Sequence, residues 1–88
     1  MKSESQVRAE LRQFIVDSFL LGDSSVVLKD SDSLFANGTI DSTGVLEIVM
    51  FLEEKYDLKV EDRELVPENL DSLDNLVNFV GRKQRAAR

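Results

Sequence analysis

Apolar side chains recur at three- and four-residue intervals in three separate stretches of this sequence, and that spacing commits most of the chain to helices packed face to face. In the first stretch Val7, Leu11, Phe14, Ile15 and Phe19 fall on one side of a helix running from Ser3 to about Leu21. Ser3 and Gln6 have the spacing of a capping box, in which each side chain satisfies an exposed amide of the first turn. Gly22 is a natural stop. The second helix begins at Asp41 or Ser42, either of which can cap it, and ends at Tyr56. Its β-branched residues weaken the propensity signal, but length and spacing favour helix over strand. Leu46, Val49, Leu52, Lys55 and Tyr56 share one largely apolar face. A last helix starts near Asp71, carries Leu73, Leu76, Val77 and Val80 as its buried stripe with Phe79 partly buried, and ends at Gly81.

Residues 22–41 lack sustained periodicity and are rich in Ser, Asp, Gly and Asn. So long a loop in so small a chain must be held down. Val26, Val27, Leu28, Leu34, Phe35 and Ile40 are the residues expected to tie it to the core, with a short helical turn inside it and a tight turn at Asn37-Gly38. Leu58 and Val60 lead into EDREL, one short helical turn before Pro67. The expected fold is all-α: a small four-helix bundle of three main helices and one short one, with a long loop between the first and second. The 88 residues form a single domain with its core at about 5–82 and residues 83–88 as a frayed basic tail. A chain of this length buries only about 60–65% of its unfolded surface, so the core is thin and cannot wrap a large cofactor.

Composition narrows the chemistry. The chain has no Cys, which removes disulfides, thiolate metal sites and cysteine nucleophiles. It has no His, the commonest general base near neutral pH and the commonest metal ligand, so a self-sufficient hydrolase is not expected, and neither catalytic nor metal-ligating residues are assigned. No run of about 18 apolar residues and no basic-then-apolar leader is present, which makes a cytoplasmic monomer without a membrane span the default. The net charge is 11 − 17 = −6, unevenly spread: residues 1–35 carry 4 basic and 6 acidic side chains, residues 36–81 carry 3 and 11, and residues 82–88 carry 4 and none. The central acidic field disfavours nucleic acid and favours basic protein surfaces.

Two motifs fail on inspection. Counted from Asp30, a calcium-binding EF-hand loop needs Gly sixth and Glu twelfth, where this chain has Phe35 and Asp41. Asn37-Gly38-Thr39 fits a glycosylation sequon but lacks a secretory leader. The informative stretch is Gly38-Thr39-Ile40-Asp41-Ser42-Thr43-Gly44, followed at once by an acidic and apolar helix. A serine at the mouth of a helix exposes its hydroxyl where local amides and the helix dipole favour an incoming anion. Read by itself, Ser42 is an ordinary helix-start residue.

Ile40-Asp41-Ser42 followed by VLEIVMFLEEKYDLKV resembles the attachment site and second helix of acyl carrier proteins, and the order and lengths of the flanking segments extend the resemblance over roughly residues 5–82. The resemblance implies that Ser42 accepts a 4′-phosphopantetheine group from coenzyme A through a separate phosphopantetheinyl transferase. Asp41 holds the position that supports the transfer, around the transferase's magnesium ion. The arm's thiol then carries an acyl or aminoacyl group as a thioester, loaded by an adenylate-forming ligase or acyltransferase and used by synthase enzymes. On that view the missing Cys and His are supplied by the prosthetic group and by partners. Glu47, Met50 and Glu54, with Glu53 at the border, would form the docking strip beside Ser42. Thr43 and Gly44 depart from the Leu and acid of many fatty-acid carriers and look closer to D-alanyl carriers and stand-alone aminoacyl or polyketide carriers of the kind that also serve non-ribosomal peptide synthesis. Gly44, a costly residue in a helical turn, either lets another surface approach closely or is simply tolerated near a helix end. The alternatives are the general carrier of fatty-acid synthesis and, from another class, an unmodified acidic helical adaptor.

Overall fold

The computed structural model describes residues 3–20, 29–36 and 38–86. Within them lie four helices, α1 (Glu4–Phe19), α2 (Ser42–Tyr56), α3 (Pro67–Leu70) and α4 (Leu73–Ala86), and a 3₁₀ turn at Asp62–Glu64. The all-α bundle of three main helices and one short one is therefore the fold. The expected turn at EDREL is the 3₁₀ turn, and beyond it lies a short helix the sequence did not suggest, α3, with Pro67 at its first position, where the missing amide costs nothing.

Local chemistry sets the helix ends. The Ser3 hydroxyl accepts from the Gln6 amide and the Gln6 side chain accepts from the Ser3 amide, which completes the capping box. The Ser72 hydroxyl accepts the Asn75 amide at 3.0 Å and starts α4. Helix α2 stops at Asp57, which takes the left-handed conformation at φ 51°, a geometry Asp tolerates better than most residues.

α4 packs against α1, α2 and α3, and this central position widens its buried arc. Phe79, expected to be partly buried, is 1% exposed, alongside Leu73, Leu76, Val77 and Val80. α1 contributes Val7, Leu11 and Ile15 to the core, with Phe14 and Phe19 at its edge. α2 contributes Ile48, Leu52 and Tyr56. The ring of Phe14 on α1 stacks on Phe51 of α2 with centroids 4.1 Å apart, which joins these two helices along their flank.

Two expectations are corrected at the C-terminal end. α4 does not stop at Gly81 but continues to Ala86, so residues 83–86 are helix rather than frayed tail. Packing and pairing outweigh the roughly 1 kcal/mol helix penalty of Gly. The Arg82 guanidinium donates to Asn69 Oδ1 at 2.6 Å, Lys83 pairs with Glu64 at 2.9 Å, and Lys83 and Arg85 lie in the last turn, where the helix dipole favours cations. Residues 87–88 lie outside the described residues.

The long loop is anchored where it is described. Leu34 and Ile40 are buried as expected, but Phe35 is 40% exposed and its side chain does not join the core. The expected helical turn amounts, among the described residues, to a hydrogen-bonded turn closed by the Gly38 amide on the Phe35 carbonyl, with Gly38 at φ 77°. Gly22, Val26, Val27, Leu28 and Asn37 lie outside the described residues. Asp30, part of the rejected calcium pattern, is held by arginines. Arg8 bridges it at 2.7 Å and Asp74 at 2.5 Å, and Arg12 also donates to Asp30.

The bundle also carries a buried phenol. The Tyr56 hydroxyl donates to Glu10 Oε1 at 2.9 Å, and burial, reinforced by that carboxylate, pushes its pKa above the ordinary 10.0. The fold therefore favours the protonated phenol. Stability from this group is fully present below pH 10.0 and falls as the pH climbs past it, because the unfolded chain releases a proton that the folded one retains. Urea titrations at pH 8, 10 and 11 are expected to show a steeper alkaline loss for wild type than for Tyr56→Phe, and parallel losses would refute the assignment.

Candidate functional site

The site is built on the first turn of α2. The Asp41 side chain accepts the Gly44 amide at 2.9 Å and is the N-cap, which settles the choice between Asp41 and Ser42. Ser42 is then the first helical residue, with its hydroxyl free of the capping role. Asp41, Ser42 and Thr43 are all exposed, so the Ser42 hydroxyl is open to solvent and to another molecule.

Gly44 points the other way. A Cβ built on it would stand 3.0 Å from Cε1 of Phe19 and 3.3 Å from Cβ of Ile40. The residue is buried, and the close approach it permits is that of the protein's own α1, not of a partner. The expectation that Gly44 clears a path for another molecule is thus overturned. The last residue of α1 presses on the first turn of α2 and fixes where Ser42 emerges.

The exposed face of α2 follows from 100° per residue. Ser42, Leu46, Met50 and Glu54, spaced by four, form one exposed line, and Thr43 and Glu47 lie beside it. Leu46 is 58% and Met50 60% exposed. The inner stripe is Gly44, Ile48, Leu52 and Tyr56. Leu46 was therefore misplaced by a reading that set it on the apolar face with Leu52 and Tyr56. Its four-residue spacing from both Ser42 and Met50 was the available signal.

Glu47, Met50 and Glu54 do sit together on this surface, as the sequence indicated. Glu53 is half-buried and occupied: its Oε2 accepts the Val60 amide at 3.0 Å and pins the 58–60 segment to α2. It borders the strip with part of its carboxylate already engaged.

The site thus combines the exposed Ser42 at a helix N-terminus, with Asp41 and Thr43 on either side, the exposed apolar side chains of Leu46 and Met50 and the exposed carboxylates of Glu47 and Glu54 within about three helical turns. Among the described residues no group of three or more carboxylates is placed to hold a metal ion, and no helix is long and apolar enough to cross a membrane. The chain matches no model of a known protein family.

Proposed function

We propose that this protein is a carrier that tethers acyl or aminoacyl intermediates on a 4′-phosphopantetheine arm at Ser42 and presents them to partner enzymes. The observation that carries the reading is the exposed Ser42 hydroxyl at the head of an exposed line of Leu46, Met50 and Glu54, with Asp41 as the cap beside it. In the modification, the Ser42 Oγ–phosphorus bond forms and the pyrophosphate bond of coenzyme A breaks. The leaving 3′,5′-ADP takes the electron pair, and a base of the transferase takes the hydroxyl proton. Once attached, the arm supplies a thiol on which a carboxylic acid is held as a thioester. This chain's own part is to keep the hydroxyl exposed, to hold the helix mouth in register through Asp41, and to offer a surface that partners recognise.

The sequence carries no Cys or His for the thioester chemistry itself, so loading by an adenylate-forming ligase or acyltransferase and use by synthase enzymes fall to partners. Thr43, polar and exposed beside Ser42, supports a dedicated aminoacyl or small-acid pathway over general fatty-acid elongation. Incubation with coenzyme A and a broad-specificity phosphopantetheinyl transferase, followed by intact-mass measurement, tests the assignment. One added phosphopantetheine is expected, and none would leave the acidic adaptor as the reading.

Recognition on this view is weak in contact and strong in steering. The two apolar side chains offer too little area for a long-lived complex, and Glu47 and Glu54 raise the encounter rate with basic partner surfaces. Glu47→Lys with Glu54→Lys is expected to lower kcat/KM with partner enzymes at low salt while leaving Tm nearly unchanged, since exposed charges contribute about 0–1 kcal/mol to folding. The gap to wild type narrows as salt is raised, because screening acts over about 10 Å at 0.1 M. Unchanged partner kinetics at low salt would show that α2 is not the docking face.

A further inference from the structure

Three consecutive residues of the long loop converge on one residue at the junction of α3 and α4. The Ser33 hydroxyl donates to Asp71 Oδ2 at 2.6 Å, the Phe35 amide donates to Asp71 Oδ1 at 3.0 Å, and the Leu34 amide donates to the Asp71 carbonyl at 2.7 Å. Ser33 Oγ also accepts the Ala36 amide at 3.1 Å, so the turn is closed on itself as well as onto Asp71. Asp71 is itself held: its amide donates to the Pro67 carbonyl at 2.9 Å, ending α3, and the next residue caps α4.

The same turn leads to Ser42. The Leu34 carbonyl accepts the Ile40 amide at 3.1 Å, so the main chain of Leu34 bonds to Asp71 on one side and to Ile40 on the other. Both side chains are buried, at 0% and 5% exposure, which shields this pair of hydrogen bonds from water. Ile40 in turn precedes Asp41, the N-cap of α2, and a Cβ added at Gly44 would meet the Ile40 Cβ at 3.3 Å. Two hydrogen bonds and the peptide bond from Ile40 to Asp41 therefore connect the α3–α4 junction to the corner that displays the Ser42 hydroxyl.

We propose that Asp71 is a positioning residue for chemistry at Ser42: by holding the 33–36 turn it sets, through Leu34 and Ile40, the pose of the Asp41-Ser42 corner presented to a modifying transferase. The role rests on Ser42 being the modified residue. Asp71 touches neither the hydroxyl nor the donor of the arm. It acts by restricting where the hydroxyl stands, and misplacement of a reacting group by about 1 Å is enough to cost on the order of a hundredfold in rate.

The test compares Asp71→Ala, Asp71→Asn, Ser33→Ala and, at the opposite end of α1, the core truncation Val7→Ala. Each is assayed for transfer from coenzyme A by a phosphopantetheinyl transferase and, independently, for amide hydrogen exchange at Gly38, Ile40 and Gly44. Asp71→Ala is expected to lose roughly tenfold or more in kcat/KM and to exchange faster at those three amides. Ser33→Ala, which removes the bond to Asp71 Oδ2 and the acceptor of the Ala36 amide but leaves the Phe35 amide on Asp71 Oδ1, is expected to fall between it and wild type, and it serves as the readable variant if Asp71→Ala does not fold. Asp71→Asn should recover most of both signals, because its amide retains an acceptor for the Phe35 amide and offers a donor to the Ser33 oxygen. Val7→Ala should lower Tm without changing either signal. If Asp71→Ala and Ser33→Ala match wild type, or if Val7→Ala slows transfer as much as they do, the positioning role is overturned. A wild-type protein that accepts no arm overturns the carrier reading itself, a result distinct from a modified wild type matched by its Asp71 variants.

Discussion

Ser42→Ala is expected to remain folded and to accept no phosphopantetheine, where wild type accepts one. The effect is all-or-none because the hydroxyl oxygen is the nucleophile, and the flanking hydroxyl of Thr43 lies about 100° around the helix from it. The folding cost is small for a reason visible in the capping geometry. Asp41, not Ser42, accepts the Gly44 amide, and Ser42 is exposed at the first helical position. Removing an exposed hydroxyl with no capping role costs within about 0.5 kcal/mol. Asp41→Ala provides the contrast. It removes the cap and is expected to cost about 0.5–2 kcal/mol in urea unfolding while leaving the nucleophile in place. Modification of Ser42→Ala at the wild-type level would remove the carrier assignment outright.

The second large effect is on the fold. Phe79→Ala is expected to cost about 3–5 kcal/mol, read as a fall in the urea midpoint at unchanged slope. Phe79 is 1% exposed and the largest fully buried side chain among the described residues, on a helix that packs against the other three. Arg82 and Lys83 also lie 5.9 and 6.0 Å from the centre of its ring, so their charges lose a favourable partner too. At about 0.05–0.15 kcal/mol per residue, a domain of 88 residues has roughly 4–13 kcal/mol of stability in all. The truncation therefore removes a large fraction of it and brings the chain close to its folding threshold. A midpoint within experimental error of wild type would mean that α4 is not the centre of the core.

Much of the architecture was legible because it is local. The apolar spacing and caps of the sequence placed α2 from Asp41 or Ser42 to Tyr56, paired Ser3 with Gln6, and put Val7, Leu11 and Ile15 on one inward face, all of which the structure bears out. Helix periodicity and capping depend on residues within one or two turns of each other, so they can be read without knowing what lies across the core. The position of Ser42 at the mouth of a helix, and the grouping of Glu47, Met50 and Glu54 on one surface, were legible for the same reason.

What the tertiary structure alone decided concerns residues far apart in the chain. Phe79 is engulfed because α4 sits among three helices, which no window of its own sequence reveals. α4 runs through Gly81 because Arg82 and Lys83 find Asn69 and Glu64 on elements outside it. Gly44 is small because Phe19, twenty-five positions earlier, needs the space. Leu46 faces outward because the core side of α2 is set by which stripe meets α1 and α4. Asp71 grips residues 33–35 through bonds whose partners are some three dozen positions away. The sequence alone determined which segments form the three main helices and where these begin to within about two residues. The pairing of those segments decided which side chains are buried and what holds the Ser42 corner in place, because burial and long-range hydrogen bonds exist only once distant parts of the chain have met.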